Sequence, residues 1–202
     1  MNSTHESTST QNNTSEDRMD DRFDKLKWDT SDTKMLLHTP VFDVLRQHEV
    51  SRTGLEGDYV TVQAPEWVVV VAEHEGNLLL VHQWRHGADE MTLEFPGGVV
   101  EPNEDTEHAA HRELLEETGY RAEKMTFLGR VWSNPALFKN RFCVYLAENL
   151  TDTGSQNLDD DELLKFEARP IAEVIAGFGK QGMTHAFMGT ALAFYMRHKL
   201  GK

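Results

Sequence analysis

The segment Trp67–Ala72 limits the possible folds most, because it is continuously apolar and rich in β-branched residues. Such a run is typical of a strand that is buried on both faces, whereas a strand with one solvated face alternates apolar and polar residues. His74–Asn77 supplies turn residues, and Leu78–Val81 follows as a second apolar strand. We therefore expect a sheet that is covered by other layers on both sides.

The rest of the chain alternates strand and helix patterns, which favours an α/β fold with helices on both faces of the sheet. The clearest helix is predicted at 105–118, with Asp105 as its N-cap and Gly119 as the left-handed residue that ends it. Further strands are predicted at 125–132, 141–147 and 163–168, and further helices at 170–176 and 183–199. An antiparallel strand pair is predicted before the main sheet, with strands at 41–45 and 59–63 and turns at 53–54 and 56–58.

Residues 1–34 are rich in Ser, Thr, Asn, Asp and Glu and poor in apolar residues. A segment of this composition buries too little apolar surface to offset the entropy of ordering. We therefore predict a disordered polar tail at 1–34, an N-terminal strand arm at 35–64 and a core at 65–202.

The charge balance excludes some classes of partner. With 34 acidic residues against 20 Lys and Arg, the formal net charge is -14, which would repel a nucleic-acid backbone. The sequence contains neither an apolar signal-peptide core near its start nor a run that approaches a membrane span. Its single cysteine permits no intrachain disulfide. These features predict a cytoplasmic protein that binds neither nucleic acid nor membrane.

The predicted helix carries three glutamates, Glu113, Glu116 and Glu117, whose i, i+3, i+4 spacing places them on one face. Ala109 and Ala110 continue this face one turn earlier, and such small residues favour close packing on the sheet. A solvated acidic face is the alternative interpretation. Against it, the last turn of a helix disfavours anions, and like charges four residues apart repel. We therefore predict that these glutamates, the acidic ridge, point inward and bind a divalent cation.

Two features next to the ridge support a ligand site. Phe95–Gly98 contains two glycines directly after a strand, where the absence of side chains lets backbone approach a ligand closely. Arg112 is expected to pair with Glu116 one turn later or with Glu104 across the loop, and so to brace the carboxylates.

The spacing of these residues resembles the signature of the Nudix hydrolase family: Gly, five residues, Glu, seven residues, then Arg-Glu-apolar-any-Glu-Glu-any-Gly-apolar. Tyr120 occupies the final position, where an aliphatic residue is commoner. The remaining fixed positions match, and they are Gly98, Glu104, Arg112, Glu113, Leu114, Glu116, Glu117 and Gly119. The resemblance implies a Nudix-type α/β/α sandwich with a mixed sheet over 35–202, in which 65–202 is the catalytic core.

The same resemblance implies a hydrolase in which water attacks a phosphorus of a diphosphate with the help of Mg²⁺, for which Mn²⁺ is a possible substitute. It implies that Glu113, Glu116, Glu117 and the Gly97 carbonyl bind the metal, with Glu113 and Arg112 in the catalytic set. A further acid, as ligand or base, is expected beyond the signature. Glu162 is the first choice and Asp160 the second, while a solvated charged loop is the alternative.

Subfamily features resemble ADP-ribose and nucleoside-diphosphate-sugar pyrophosphatases. Pro135 follows Tyr120 by fifteen residues, near a marker proline of those enzymes, and the resemblance implies that it contacts the substrate. Gln83-Trp-Arg85 resembles their Gln-aromatic-Arg element. The resemblance implies a nucleotide-sugar type of substrate and a homodimer paired through the arm. Arg85 is predicted to contact phosphate or base, or to neutralise nearby acids; Trp67 is predicted to stack on a nucleobase or to belong to the core.

Two alternative functions remain open at this point. Hydrolysis of oxidised nucleoside triphosphates uses the same signature, usually in shorter chains. A binding module that senses a nucleotide without cleaving it would often have an eroded signature, whereas this one is intact.

Overall fold

The computed structural model describes residues 21–158 and 163–201. The strands are β1 (Trp28–His38), β2 (Asp43–Ser51), β3 (Glu56–Gln63), β4 (Trp67–His74), β5 (Asn77–Arg85), β6 (Glu90–Glu94), β7 (Tyr120–Trp132), β8 (Arg141–Asp152) and β9 (Leu164–Pro170). The helices are α1 (Thr106–Thr118), α2 (Ile171–Gly177) and α3 (Ala186–Lys199), together with a 3₁₀ helix at Asp21–Leu26.

The described chain divides into two compact units. One comprises Arg46–Tyr59 with the described residues up to Lys34, and the other comprises Met35–Leu45 with the described residues from Val60 onward. Three strands near the start form a sheet in the order β1-β2-β3.

The described residues before β4 correct two expectations. Residues 21–34, predicted to belong to a disordered tail, form the 3₁₀ helix and most of β1, and residues 56–58, predicted as a turn, begin β3. The prediction of disorder from composition was wrong because β1 gains its order from strand pairing rather than from burial. The side chains of β1 are all exposed. The Lys27 carbonyl, just before β1, accepts from the Arg52 amide at 3.0 Å, and Arg52 pairs with Asp29 at 3.3 Å.

A six-stranded sheet forms the centre of the second unit within the described residues, with the order β6-β5-β4-β8-β7 and β9 paired with β5. β4 and β8 are parallel, with Val69 opposite Val144, while the other pairs are antiparallel. The sheet is therefore mixed, as the family resemblance implied.

β4 shows why the apolar run is continuous. Val68, Val70 and Ala72 pack in a cluster with Ala109 and Leu114 of α1. The alternate residues Val69 and Val71 pack in a second cluster, whose helical members are Val174, Met188, Ala191, Leu192 and Tyr195 of α2 and α3. Helices thus cover both faces of the sheet, which confirms the predicted α/β/α sandwich. No helix in the described part of the chain has the length and apolar character required to cross a membrane.

Candidate active site

The acidic ridge lies on α1, whose ends agree with the sequence prediction. The Asp105 carboxylate caps the N-terminus by accepting from the amides of Glu107 and His108. Gly119 ends the helix in the left-handed conformation, with φ of 75°. These caps fix which turn carries the glutamates. Because α1 packs on β4, the face that holds Ala109 and Ala110 also directs the ridge toward the protein body.

Burial distinguishes the three glutamates of the ridge. Glu113 is 7% exposed and Glu117 is 2% exposed, whereas Glu116 is only partly buried. Fully buried carboxylates are rare unless they are paired or ligate a metal. The predicted inward orientation is therefore confirmed for two of the three carboxylates, and a solvated acidic face is wrong for them.

The glycine segment after β6 lies directly against the ridge. The Gly97 amide donates to Oε2 of Glu117 at 2.8 Å. A β-carbon at residue 98 would overlap the carboxylate of Glu113, and one at residue 97 would overlap the carbonyl oxygen of Val68. The absence of side chains at these two positions therefore permits this approach between loop, helix and strand.

Arg112 braces the site through several carboxylates, as predicted. Its Nε and Nη2 donate to the two oxygens of Glu104, each at 3.0 Å. Its Nη1 donates to Glu113 at 2.9 Å and to Glu116 at 3.0 Å. Hydrogen bonds from Arg112 lower the pKa of Glu104 to about 2, and the same bonds raise the pKa of Arg112. Glu104 and Arg112 are therefore both charged across the usable pH range.

A cavity of about 790 Å³ opens in front of this site. Gly97, Gly98, Arg112, Glu113 and Glu117 form one part of its wall. The described residues that line the rest include Trp67 and Arg85, both named from the sequence, together with Gln83, Trp84 and His86. Pro135 does not line it; this residue is exposed in the loop between β7 and β8.

Both interpretations offered for Trp67 and Arg85 have support. Trp67 is partly buried, packs against the core and meets Phe187 edge-on with ring centroids 6.1 Å apart, yet it also reaches the cavity. The Arg85 guanidinium lies 5.8 Å from the centre of the Trp67 ring. Arg85 also neutralises an acid, because its Nε and Nη2 donate to the two oxygens of Glu94 at 2.8 and 2.9 Å.

Glu94 is a residue that sequence reasoning missed. Its side chain is 6% exposed at the end of β6. Burial opposes its ionisation, but the hydrogen bonds and charge of Arg85 outweigh burial, so the pKa of Glu94 lies below its usual range. The sequence signal was an acid in a strand directly before the glycine segment, and its partner lies nine residues earlier on another strand.

His185 adds no cation to this pair. Its Nδ1 accepts from the Phe187 amide at 3.2 Å, so this nitrogen is not a donor toward Glu94 3.7 Å away. Burial also lowers the pKa of His185, which favours the neutral ring. Arg85 therefore balances the charge of Glu94.

A NUDIX domain model matches residues 62–187, which is more than half of the chain. The chain belongs to the Nudix family. It is 36% identical over 106 residues to the ADP-ribose pyrophosphatase of Bacillus subtilis (strain 168), an alignment that covers 52% of this chain and 57% of the relative. It is 30% identical over 143 residues to the ADP-ribose pyrophosphatase of Mycobacterium tuberculosis (strain ATCC 25618 / H37Rv), with 68% of each chain covered.

The Nudix fold is also found in a solved structure, described as an ADP compounds hydrolase. It superposes with a TM-score of 0.77 over 87% of this chain and 95% of that chain, at 24% identity. Among the curated relatives, the matched region spans 57% of the Bacillus subtilis protein and 59% of the Escherichia coli (strain K12) relative named ADP compounds hydrolase NudE.

Nudix hydrolases generally use a divalent metal, and the donor chemistry of the ridge fits such an ion. Carboxylate oxygens on one helical face, two of them buried, are the hard ligands that Mg²⁺ prefers. In the described residues, no three His, Cys, Asp or Glu side chains converge as a ready ligand set. Arg112 holds Glu113 and Glu116, and the Gly97 amide meets Glu117, so binding requires these side chains to exchange partners. Asp160 and Glu162 lie outside the described residues.

Proposed function

We propose that the chain hydrolyses the diphosphate bond of ADP-ribose or of a nucleoside-diphosphate sugar, releasing a nucleoside monophosphate and a sugar phosphate. One observation carries the proposal: the buried glutamates of the ridge share a cavity wall with a guanidinium and an indole ring. A diphosphate needs positive charge, a nucleobase offers a planar face, and this cavity is large enough for a ligand of that size. The names of the Bacillus subtilis and Mycobacterium tuberculosis relatives support this substrate class.

Mg²⁺ is the proposed cofactor, with Mn²⁺ as a substitute. Glu113, Glu116, Glu117 and the Gly97 carbonyl would hold it, and Arg112 would keep the carboxylates in place. When bound, the ion would supply the positive charge that lets so acidic a protein accept a diphosphate and would polarise the phosphoryl oxygens. Glu162, or Asp160 in its place, is proposed as the further acid.

The chain's own residues are proposed to orient the substrate. Arg85 would donate to phosphate oxygens, for which its planar set of N–H groups is suited. Trp67 would offer the exposed part of its ring to the nucleobase. These contacts would place the diphosphate next to the ridge, and correct placement alone accounts for a large part of an enzymatic rate.

Hydrolysis of oxidised nucleoside triphosphates is a second candidate, favoured by one observation. The chain is 42% identical over 67 residues to a Bacillus subtilis (strain 168) protein named putative 8-oxo-dGTP diphosphatase YtkD. That alignment covers 33% of this chain, so we prefer the first candidate.

A substrate panel with product identification separates the candidates. ADP-ribose, several nucleoside-diphosphate sugars and 8-oxo-dGTP are incubated with the protein and Mg²⁺, and the products are identified by mass spectrometry. We expect AMP and ribose 5-phosphate from ADP-ribose, or the corresponding pair from another sugar nucleotide. Preferred cleavage of 8-oxo-dGTP would instead establish the second candidate, and turnover of none would refute both.

A matched pair of variants tests the role of the ridge. Glu117→Gln removes a buried carboxylate, whereas Glu107→Gln makes the same change on the exposed side of the same helix. We expect Glu117→Gln to lose at least about 100-fold in kcat and Glu107→Gln to retain full activity. Equal activity in the two variants would contradict the proposed metal site.

The homodimer is also a proposal. Within the arm, the apolar residues Met35, Leu36 and Leu37 of β1 are each more than half exposed, which supports an association surface there. Light scattering would test the oligomeric state, and a measured mass equal to that of a single chain would contradict the homodimer.

A further inference from the structure

The cavity has few cations with which to meet an anion. Arg112 and Arg85 are the arginines among its described lining residues. Arg112 donates to three carboxylates and to the Val99 carbonyl, so much of its donor capacity serves the protein. Arg85 also lines the cavity, and its Nε and Nη2 donate to the carboxylate of Glu94. Arg85, which the proposed function places at the phosphate, is the other arginine of this wall.

The geometry of β5 and β6 explains how Arg85 reaches Glu94. Arg85 is opposite Glu90, Gln83 is opposite Thr92 and Val81 is opposite Glu94, so these alternate residues share one face of the strand pair. The Arg85 side chain therefore extends back along this face rather than across to its direct partner. The guanidinium lies 5.8 Å from the centre of the Trp67 ring and reaches Glu94, which directly precedes the glycine segment.

The contact with Glu94 fixes the orientation of the Arg85 guanidinium. A bidentate pair through Nε and Nη2 engages one edge of the planar group and thereby sets the direction of the remaining N–H groups. Glu94 is itself held, because the Thr92 hydroxyl lies 2.6 Å from its Oε1. The hydroxyl has one hydrogen to donate, and the Gln83 carbonyl, at 3.1 Å, is a second possible acceptor. Donation to Glu94 is favoured, because that distance is shorter and the acceptor is charged.

Stability alone does not explain a charged pair at this place. Replacing a buried ion pair with apolar residues of similar volume is often neutral or stabilising, so such a pair is weak evidence for a stabilising role. Here the carboxylate is buried, while the guanidinium it holds forms part of the cavity wall. The arrangement orders a long side chain before a ligand arrives, which reduces the entropy that binding would otherwise cost.

We propose that Glu94 is a positioning residue that acts through Arg85, holding its guanidinium over Trp67 in the orientation that contacts the diphosphate of the substrate. This inference rests on the proposed substrate class.

The test is the binding of ADP, a nucleoside diphosphate, measured by calorimetry in the presence of Mg²⁺, which the proposed metal site needs in order to accept a diphosphate. Glu94→Gln removes the charge and one of the two acceptors, and Arg85→Lys keeps the charge but loses the planar pair of donors. We expect each to weaken ADP binding about tenfold, the value of a lost charged hydrogen bond. Because Glu94 acts through Arg85, the double variant should bind no more weakly than either single variant.

Glu167→Gln is the matched control. Glu167 pairs with His82 at 2.9 Å, and His82 lies on the face of β5 opposite to that of Arg85. This variant should bind ADP as the wild type does. An unchanged affinity in Glu94→Gln, losses that multiply in the double variant, an equal loss in Glu167→Gln or no binding by the wild type would each overturn the proposal.

A milder variant keeps the test decisive if Glu94→Gln does not fold. Thr92→Val conserves volume and removes only the hydroxyl that holds Glu94. We therefore expect ADP binding about threefold weaker, at the low end for the loss of one hydrogen bond. Wild-type affinity in this variant would overturn the inference.

The binding measurement is independent of turnover. Coupled losses of ADP binding in a protein that cleaves no substrate of the panel would refute the proposed function and leave the role of Glu94 standing.

Discussion

Gly98 lies so close to Glu113 that a β-carbon at residue 98 would overlap the Glu113 carboxylate. The neighbouring Gly97 faces backbone instead, because its β-carbon would overlap the Val68 carbonyl. A flexible side chain yields to an added methyl group more easily than the backbone of a central strand does. A substitution at residue 98 should therefore disturb mainly the site, whereas a substitution at residue 97 should disturb mainly the fold.

Gly98→Ala is expected to displace the Glu113 carboxylate and to lower kcat/KM about 100-fold, the usual cost of misplacing a catalytic group by about 1 Å. Gly97→Ala is expected to lower the free energy of unfolding by about 2–3 kcal/mol, because β4 must shift. Urea denaturation and steady-state kinetics on both variants check this. A Gly98→Ala variant with wild-type kinetics would contradict the placement of Glu113 in the site.

Arg112→Ala is expected to reduce the free energy of unfolding by about 2–3 kcal/mol. The substitution leaves Glu104 and Glu113, both largely buried, without the guanidinium that pairs with them, and such losses cost most when the remaining charge is buried. Arg121→Ala, at an exposed position, is the control and should stay within about 0.5 kcal/mol of wild type. Comparable unfolding midpoints for the two variants would refute the bracing role.

Glu104→Gln is expected to show a pH-dependent loss of stability. Arg112 lowers the folded-state pKa of Glu104 from 4.5 to about 2. A depressed pKa contributes stability that is complete above the unfolded value and is lost as pH falls toward the folded value. The difference in unfolding free energy between wild type and Glu104→Gln should therefore be largest above pH 4.5 and should shrink toward pH 2. Urea denaturation at a series of pH values measures it, and a constant difference would contradict the pairing.

Asp105→Ala is expected to destabilise the protein by about 1 kcal/mol, because the carboxylate caps two amides at the start of α1. Asp105→Asn retains an acceptor at this position and should recover most of that loss. Thermal unfolding followed by circular dichroism distinguishes the two. Equal melting temperatures for Asp105→Ala and wild type would show that the cap does not contribute.

The main elements of the fold could be predicted because their signals are local. The apolar run of β4 by itself indicates burial on both faces. Asp105 and Gly119 mark the ends of α1, and each signal depends only on the residue and its nearest neighbours in sequence. The acidic ridge follows from helical geometry alone, since residues three and four apart share a face. Composition failed for β1, because pairing with a neighbouring strand orders a polar segment without burying it.

The sequence by itself determined the layered architecture, the helix that carries the ridge and the inward orientation of Glu113 and Glu117. Only the tertiary structure decided that β4 pairs in parallel with β8, that the Gly97 amide meets Glu117 and that Glu94 holds Arg85. The physical reason is the separation along the chain between the residues that interact. A periodic pattern defines the face on which a residue lies, whereas apolar strands and charged side chains each have several suitable partners, and the packing of the whole chain selects among them.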